Sequence, residues 1–170
     1  MVRVYIPATL AMLQRLVVDG SMQPLSGTAF AVTPTLRESY AEGDDEELAE
    51  VALGEAALAS LRLLASESDS GTGLPLRRAV LVADAPDAAV TSRPDLDDAV
   101  VRIDGRVGLD QVVAAYVDNA AAESAVEAAI AVIDDADLGD EDAELTVGDA
   151  QDHDLAWYAS QELPFLLELL

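Results

Sequence analysis

Arg78-Ala79-Val80-Leu81-Val82-Ala83 decides the fold. A continuous run of β-branched and aliphatic residues, closed by Asp84, is typical of a strand at the centre of a sheet. On its N-terminal side, Ser66 to Pro75 is polar and glycine-rich and reads as a surface loop. Before that loop, Asp44 and Glu47 match a carboxylate version of the capping box. They open a helix to about Ala65, with Leu48, Val51, Ala52, Leu58, Leu61 and Leu64 near helical spacing. Gly43 separates it from a short helix, Leu36 to Tyr40, which Thr33 caps and Pro34 starts. Thr28 to Val32 reads as a strand, and so does Val2 to Ile6, ended by Pro7. Between those two, Thr9 caps a helix carrying Leu10, Leu13, Leu16 and Val17 on one face, and Asp19-Gly20 stops it.

On the C-terminal side, Asp84 to Asp98 holds two prolines and five aspartates, which predicts an irregular connection. Val100 to Ile103 is a strand, and Asp104-Gly105 turns the chain. Val112 to Val117 is read as its hairpin partner; the same residues suit a helix. Strand is preferred because Asp118-Asn119 forms an N-cap for an alanine-rich helix over 120–133. Asp134 to Gln151 reads as an acidic connection, Leu155 to Ala159 as a strand, and Ser160 as the cap of a last helix to Leu169.

The elements predict a single α+β domain over residues 1–170. The expected architecture is a mixed sheet of about six strands with helices mainly on one face, ferredoxin-like or an elaboration of it. A weak echo links the two halves. Val4-Tyr5-Ile6-Pro7-Ala8-Thr9 is similar to Ala115-Tyr116-Val117-Asp118-Asn119-Ala120, and Phe30-Ala31-Val32-Thr33 to Trp157-Tyr158-Ala159-Ser160. That spacing suggests a duplication of 1–66 and 99–170, although any strand-to-helix junction calls for a cap residue.

Composition removes several chemistries. The 170 residues include no lysine, no cysteine and one histidine, and 33 Asp and Glu against nine Arg give a formal charge of -24. Without cysteine there is no disulfide, thiolate nucleophile or zinc–thiolate site. The acidity opposes nucleic acid phosphates and anionic membranes as partners. No apolar run approaches the roughly 20 residues of a membrane span, and the N-terminal stretch lacks the pattern of a signal peptide. A cytoplasmic location is the expectation. Arginine as sole cation, with abundant Ala, Asp, Val and Leu, suits a GC-rich coding bias; salt adaptation is the rival explanation. In either case self-repulsion predicts that added salt stabilises the fold.

The chain resembles, over nearly its whole length, a family of uncharacterised actinobacterial proteins, a domain of unknown function. The matching stretches are Arg3-Val4-Tyr5-Ile6-Pro7-Ala8-Thr9-Leu10, Ser26 to Pro34, and Trp157-Tyr158 with Gln161-Glu162-Leu163-Pro164. The resemblance implies an actinobacterial source and supports the coding bias. It supplies no catalytic residues.

Candidate sites are therefore weighed on chemistry alone. Asp84, directly after the central strand, is the one carboxylate of the 84–98 cluster placed for acid–base or metal work. Thr9, Thr33, Asn119 and Ser160, with Arg37 and Tyr40, could line a small-anion site where strands feed helix N-termini. Arg3, Arg62, Arg77 and Arg78 are expected to pair with carboxylates and tie helix to sheet. His153 between Asp152 and Asp154 reads as a surface residue. The acidic run 134–142 misses the calcium-loop register, so no metal site is expected, and no cofactor. Gly71-Thr72-Gly73 lacks the context of a phosphate loop.

Trp157 and Tyr158 alternate faces, so one of them is available to an interface. Phe165, Leu166, Leu169 and Leu170 form an apolar strip that a second copy would bury. The leading expectation is a non-catalytic acidic protein-interaction module, a homodimer with a protein partner still to be identified and no nucleic acid or membrane. The alternative is an enzyme or small-anion sensor using Asp, Arg and hydroxyl groups at the strand-to-helix junctions. A nucleic-acid mimic is a third.

Overall fold

A computed structural model of the chain describes residues 1–67 and 73–170. Gly71 and Thr72, with the middle of the expected 66–75 loop, lie outside the described residues. The elements in chain order are β1 (Val2–Ala8), α1 (Leu10–Asp19), β2 (Ser21–Met22), β3 (Thr28–Phe30), α2 (Pro34–Ser39), α3 (Asp45–Glu67), β4 (Ala79–Ala85) and β5 (Val90–Ser92). They continue with β6 (Val100–Ile103), β7 (Val107–Gly108), β8 (Val112–Val117), α4 (Glu123–Asp137), α5 (Glu141–Gln151), β9 (Ala156–Ala159) and α6 (Leu163–Glu168).

Seven strands form one sheet in the order β5-β6-β3-β1-β4-β8-β9, with β4 near its middle as its apolar run requires. Every neighbouring pair is antiparallel, so the expected mixed sheet is corrected to an antiparallel one. The physical reason lies in the connections. The chain leaves β3, crosses in α3 and returns as β4 on the far side of β1, so parallel strands are kept apart by an opposing one.

The expected hairpin of 100–117 is also absent. β6 pairs with β3 and β5, whereas β8 pairs with β4 and β9. The intervening residues cross the sheet, and β7 pairs with β2 as a separate two-stranded ribbon whose Val107 is buried in the core. Pro7 does not end β1; it stands opposite Val80 in the β1–β4 ladder. β3 pairs with β1 only at Tyr5–Phe30, so the flank of β1 beyond that point tolerates the missing N–H.

Side chains along the strands alternate between two cores. Val4, Ile6, Leu81, Ala115 and Val117 face α1 and α6, packing on Leu10, Leu13, Leu16, Leu163 and Leu166. Phe30, Val80 and Val100 face the other way, onto Leu36 of α2 and Leu48, Ala52, Ala56 and Ala57 of α3. Both faces of the sheet are thus covered, where helices mainly on one face were expected. A third cluster joins the end of α3 (Leu61, Leu64) to α4 and α5 through Val126, Ala129, Ile133 and Val147.

α5 replaces the acidic connection expected over 134–151. Asp140 accepts a hydrogen bond from the Ala143 N–H at 2.9 Å and caps the helix, with Glu141, Asp142 and Glu144 in its first turn. The arrangement β3-β1-β4-β8-β9 reads alike from both sides of β4. β1 and β8 flank β4, each antiparallel to it, and each leads through helix to the next strand outward.

Candidate functional site

Asp84 lies within β4 rather than after it, opposite Arg3 of β1 in register. Arg3 Nε and Nη2 donate to its two carboxylate oxygens at 3.0 and 3.1 Å. Those hydrogen bonds hold the Asp84 carboxyl below the usual carboxylate range. A carboxylate kept ionised by a cross-strand guanidinium is a poor proton donor and is already occupied as a base.

The hydroxyl and amide caps do cap, with one exception. Thr9 accepts from the Met12 N–H at 3.3 Å and donates to Glu67 Oε1 at 2.8 Å. Thr33 accepts from the Leu36 N–H at 3.0 Å and donates to the Asp98 carbonyl. Asn119 Oδ1 accepts from the Ala121 N–H at 3.1 Å at the start of a short 3-10 turn. Ser160 does not cap α6: a 3-10 turn of Ser160–Glu162 intervenes, and Glu162 Oε1 accepts from the Ala159 N–H at 3.2 Å.

The structure does not bring these groups together. In an antiparallel sheet the strand ends alternate, so Thr9 and Asn119 follow β1 and β8 at one end of the sheet. Thr33 and Ser160 follow β3 and β9 at the opposite end. A ligand crevice outside the carboxyl ends of the strands needs those ends to coincide, as in a parallel sheet. Arg37 is near Thr33 but is paired with Asp45.

In the acidic run 134–142, Asp137 and Asp140 have structural roles. Asp137 binds Arg62 with both oxygens, at 3.0 and 2.9 Å, joining α4 to α3 and lying below its ordinary range through those bonds. Among the described residues no group of three or more Asp, Glu and His side chains is arranged to hold a metal ion. No helix there is long and apolar enough to cross a membrane.

The most buried polar assembly centres on Arg78, at the entry to β4, and Asp118, at the exit from β8. Arg78 Nε and Nη2 reach the two Asp118 oxygens at 2.9 and 2.7 Å, and the Arg78 backbone N–H also donates to Asp118 at 2.8 Å. Remaining donors of Arg78 go to Gln151 Oε1 and the His153 carbonyl. Gln151 Nε2 in turn donates to the Gly54 carbonyl, so the network spans α3, β4, β8 and α5. Sequence reasoning expected Arg78 to find a carboxylate and placed Asp118 in a cap; only the adjacency of β4 and β8 joins them. Arg77 pairs with Glu123 at the start of α4. His153 contributes its carbonyl to the network and, among the described residues, its side chain makes no hydrogen bond.

The apolar C-terminal strip divides. Leu166 is 7% exposed and packs with Leu163 against α1, so it belongs to the core of its own chain and is corrected from interface to core. Leu170 is half-buried against the same cluster. Phe165 and Leu169, one helical turn apart, are 70% and 86% exposed. Trp157, on the preceding strand, is 57% exposed. That strand, β9, is an edge of the sheet. Ala159 turns its N–H to Glu162 and away from β8, so by the two-residue alternation the N–H and C=O of Trp157 also face the open side.

Comparison with known proteins gives one family model, described as a family of unknown function (DUF6912), which matches residues 2–167. No curated protein matches the chain. No solved structure matches it.

Proposed function

We propose a non-catalytic role for this chain, which belongs to the family of unknown function DUF6912: a small acidic protein-interaction module that works as a homodimer. The observation that carries this reading is the open outer edge of β9, which pairs only with β8 among the described residues, carries exposed Trp157 and is followed by exposed Phe165 and Leu169. Open strand edges and large exposed apolar side chains are liabilities unless something covers them. A second copy is the favoured occupant. Antiparallel β9 strands can pair about a two-fold axis, which closes the assembly at two subunits. The strand itself, Ala-Trp-Tyr-Ala, carries no charge in a chain of -24, so copies repel least where this edge leads the approach. The opposite edge, β5, is three residues long and exposes Thr91 and Ser92, which suits a solvated edge.

The lack of catalysis is supported by what the polar side chains already do: Asp84 is held by Arg3, and Thr9, Thr33 and Asn119 cap helical turns. An enzyme or small-anion sensor at the strand-to-helix junctions has less support, since those junctions lie at opposite ends of the sheet. A cytoplasmic setting and an actinobacterial source belong to the same proposal, supported by the cysteine-free, arginine-only composition. The β3–α3–β4 crossover around β1 supports an elaborated ferredoxin-like plan. The repeated strand–helix–strand order on either side of β4 supports an ancestral duplication.

Trp157 is the sole tryptophan and reports on its own burial. Its emission is expected to shift to the red as the protein is diluted from tens of micromolar to tens of nanomolar, tracking dissociation. A spectrum independent of concentration, at the wavelength of exposed indole, contradicts the proposal.

A further inference from the structure

Six of the nine arginines form ion pairs with carboxylates: Arg3, Arg37, Arg62, Arg77, Arg78 and Arg93. Among the described residues, Arg15, Arg102 and Arg106 form none. In a chain so rich in Asp and Glu an unpaired guanidinium is the exception, and two of these three line the same cleft.

That cleft holds about 480 Å³ between α1, β2 and the end of α3. Arg15 comes from α1 and Arg106 from the turn between β6 and β7. Arg106 is held in place by neutral groups: its Nε donates to Ser21 Oγ at 2.9 Å and its Nη2 to the Ser21 carbonyl at 3.2 Å. These bonds fix the guanidinium without neutralising it, and among the described residues its Nη1 has no acceptor. Met12, Met22, Leu25 and Leu63 supply the apolar part of the wall, and Gln23 and Ser66 add polar groups. Asp19 and Glu67 also border the space, and Thr9 donates to Glu67.

We propose that this cleft binds a small amphipathic carboxylate, its anionic head on Arg15 and Arg106 and its aliphatic tail against Met12, Met22, Leu25 and Leu63. An arginine fork matches a carboxylate, and methionine adapts to varied apolar shapes. The volume lies within the range of small-molecule sites. Asp19 and Glu67 on the same rim repel a dianionic phosphate more strongly than a singly charged carboxylate head. The site is independent of the β9 edge, so its failure would leave the dimer proposal standing.

The chain has three methionines, and Met1 is outside the cleft. Octanoate titrated into the intact protein labelled at the methionine methyls is expected to move Met12 and Met22 to saturation and leave Met1 in place. Octanol, with the tail alone, and inorganic phosphate, with charge alone, are expected to bind at least ten-fold more weakly. Arg15→Gln and Arg106→Gln are each expected to weaken octanoate ten-fold or more. Arg15→Gln removes no hydrogen bond seen in the structure, so it keeps the comparison valid if Arg106→Gln disturbs β2. The proposal is overturned if octanoate gives no saturable shift or moves all three methyls together. It is equally overturned if octanol or phosphate matches octanoate, or if Arg15→Gln binds as the parent does.

Discussion

Arg3–Asp84 and Arg78–Asp118 share a two-pronged geometry and differ in what surrounds them. The first pair is open to solvent, with half of the Arg3 side chain exposed. In the second the side chains are 2% and 0% exposed, and every buried polar side-chain atom among the described residues has a partner. Removing one member of a buried pair strands the other charge, at a cost of about 3–5 kcal/mol, whereas exposed pairs contribute about 0–1 kcal/mol. Asp118→Ala is therefore expected to destabilise the fold by several kcal/mol in urea unfolding, and Asp84→Ala by less than about 1 kcal/mol. Equal losses would show that burial is not what distinguishes them. Glu55 on α3 behaves in the opposite sense. Burial, then the nearby Asp97 charge, pushes its carboxyl up, with Arg62 opposing. A carboxyl raised by folding favours the folded state when protonated and disfavours it once ionised. Glu55→Gln is expected to raise the melting temperature at pH 7, with the gain vanishing as pH falls through the raised value into the ordinary carboxylate range. A gain that persists at pH 3, or a loss at pH 7, contradicts this. That Arg78 would need a carboxylate was legible from its type; that Asp118 supplies it was not, because the pair is 40 residues apart and made by strand order.

At the scale of elements, what was legible is what local pattern controls. The apolar run of β4, the caps Thr9 and Thr33, and the stop at Gly20, which adopts the left-handed conformation with φ 78, all appear where their chemistry places them. Val112 to Val117 is a strand, as the following Asp118-Asn119 junction suggested, although not the hairpin partner of β6. α5 was missed despite a readable signal. Asp140 is a cap, acidic residues fill the first turn, and Ala143, Val147 and Ala150 repeat on one face. Acidic density masked that spacing, since the apolar positions are small and few. β5 was missed because Val90-Thr91-Ser92 carries almost no apolar signal and is held as an edge by pairing with β6. The candidate site fared worse than the elements. Its hydroxyls were assigned to one crevice on the premise of coinciding strand ends, and antiparallel order, which no local pattern encodes, separates them.

The whole molecule carries a formal charge of -24, while the β9 strand itself is uncharged. Thirty-three carboxylates make the surface repel its own kind, while β9 and the outer face of α6 present Trp157, Phe165 and Leu169. Their exposure separates them from Leu166, whose place in the core makes it unsuitable as a probe of association. Repulsion weakens as salt screens it, so the association should be firmer at ~0.5 M NaCl than at low salt. The direct measurement is molar mass by light scattering at tens of micromolar, for the intact chain and for a Phe165→Asp, Leu169→Asp variant. The expected result is twice the 17.8 kDa chain mass for the intact protein, and a monomer with the parent's melting temperature for the variant. An intact protein that stays monomeric at both salt concentrations, or a variant that remains dimeric, contradicts the account.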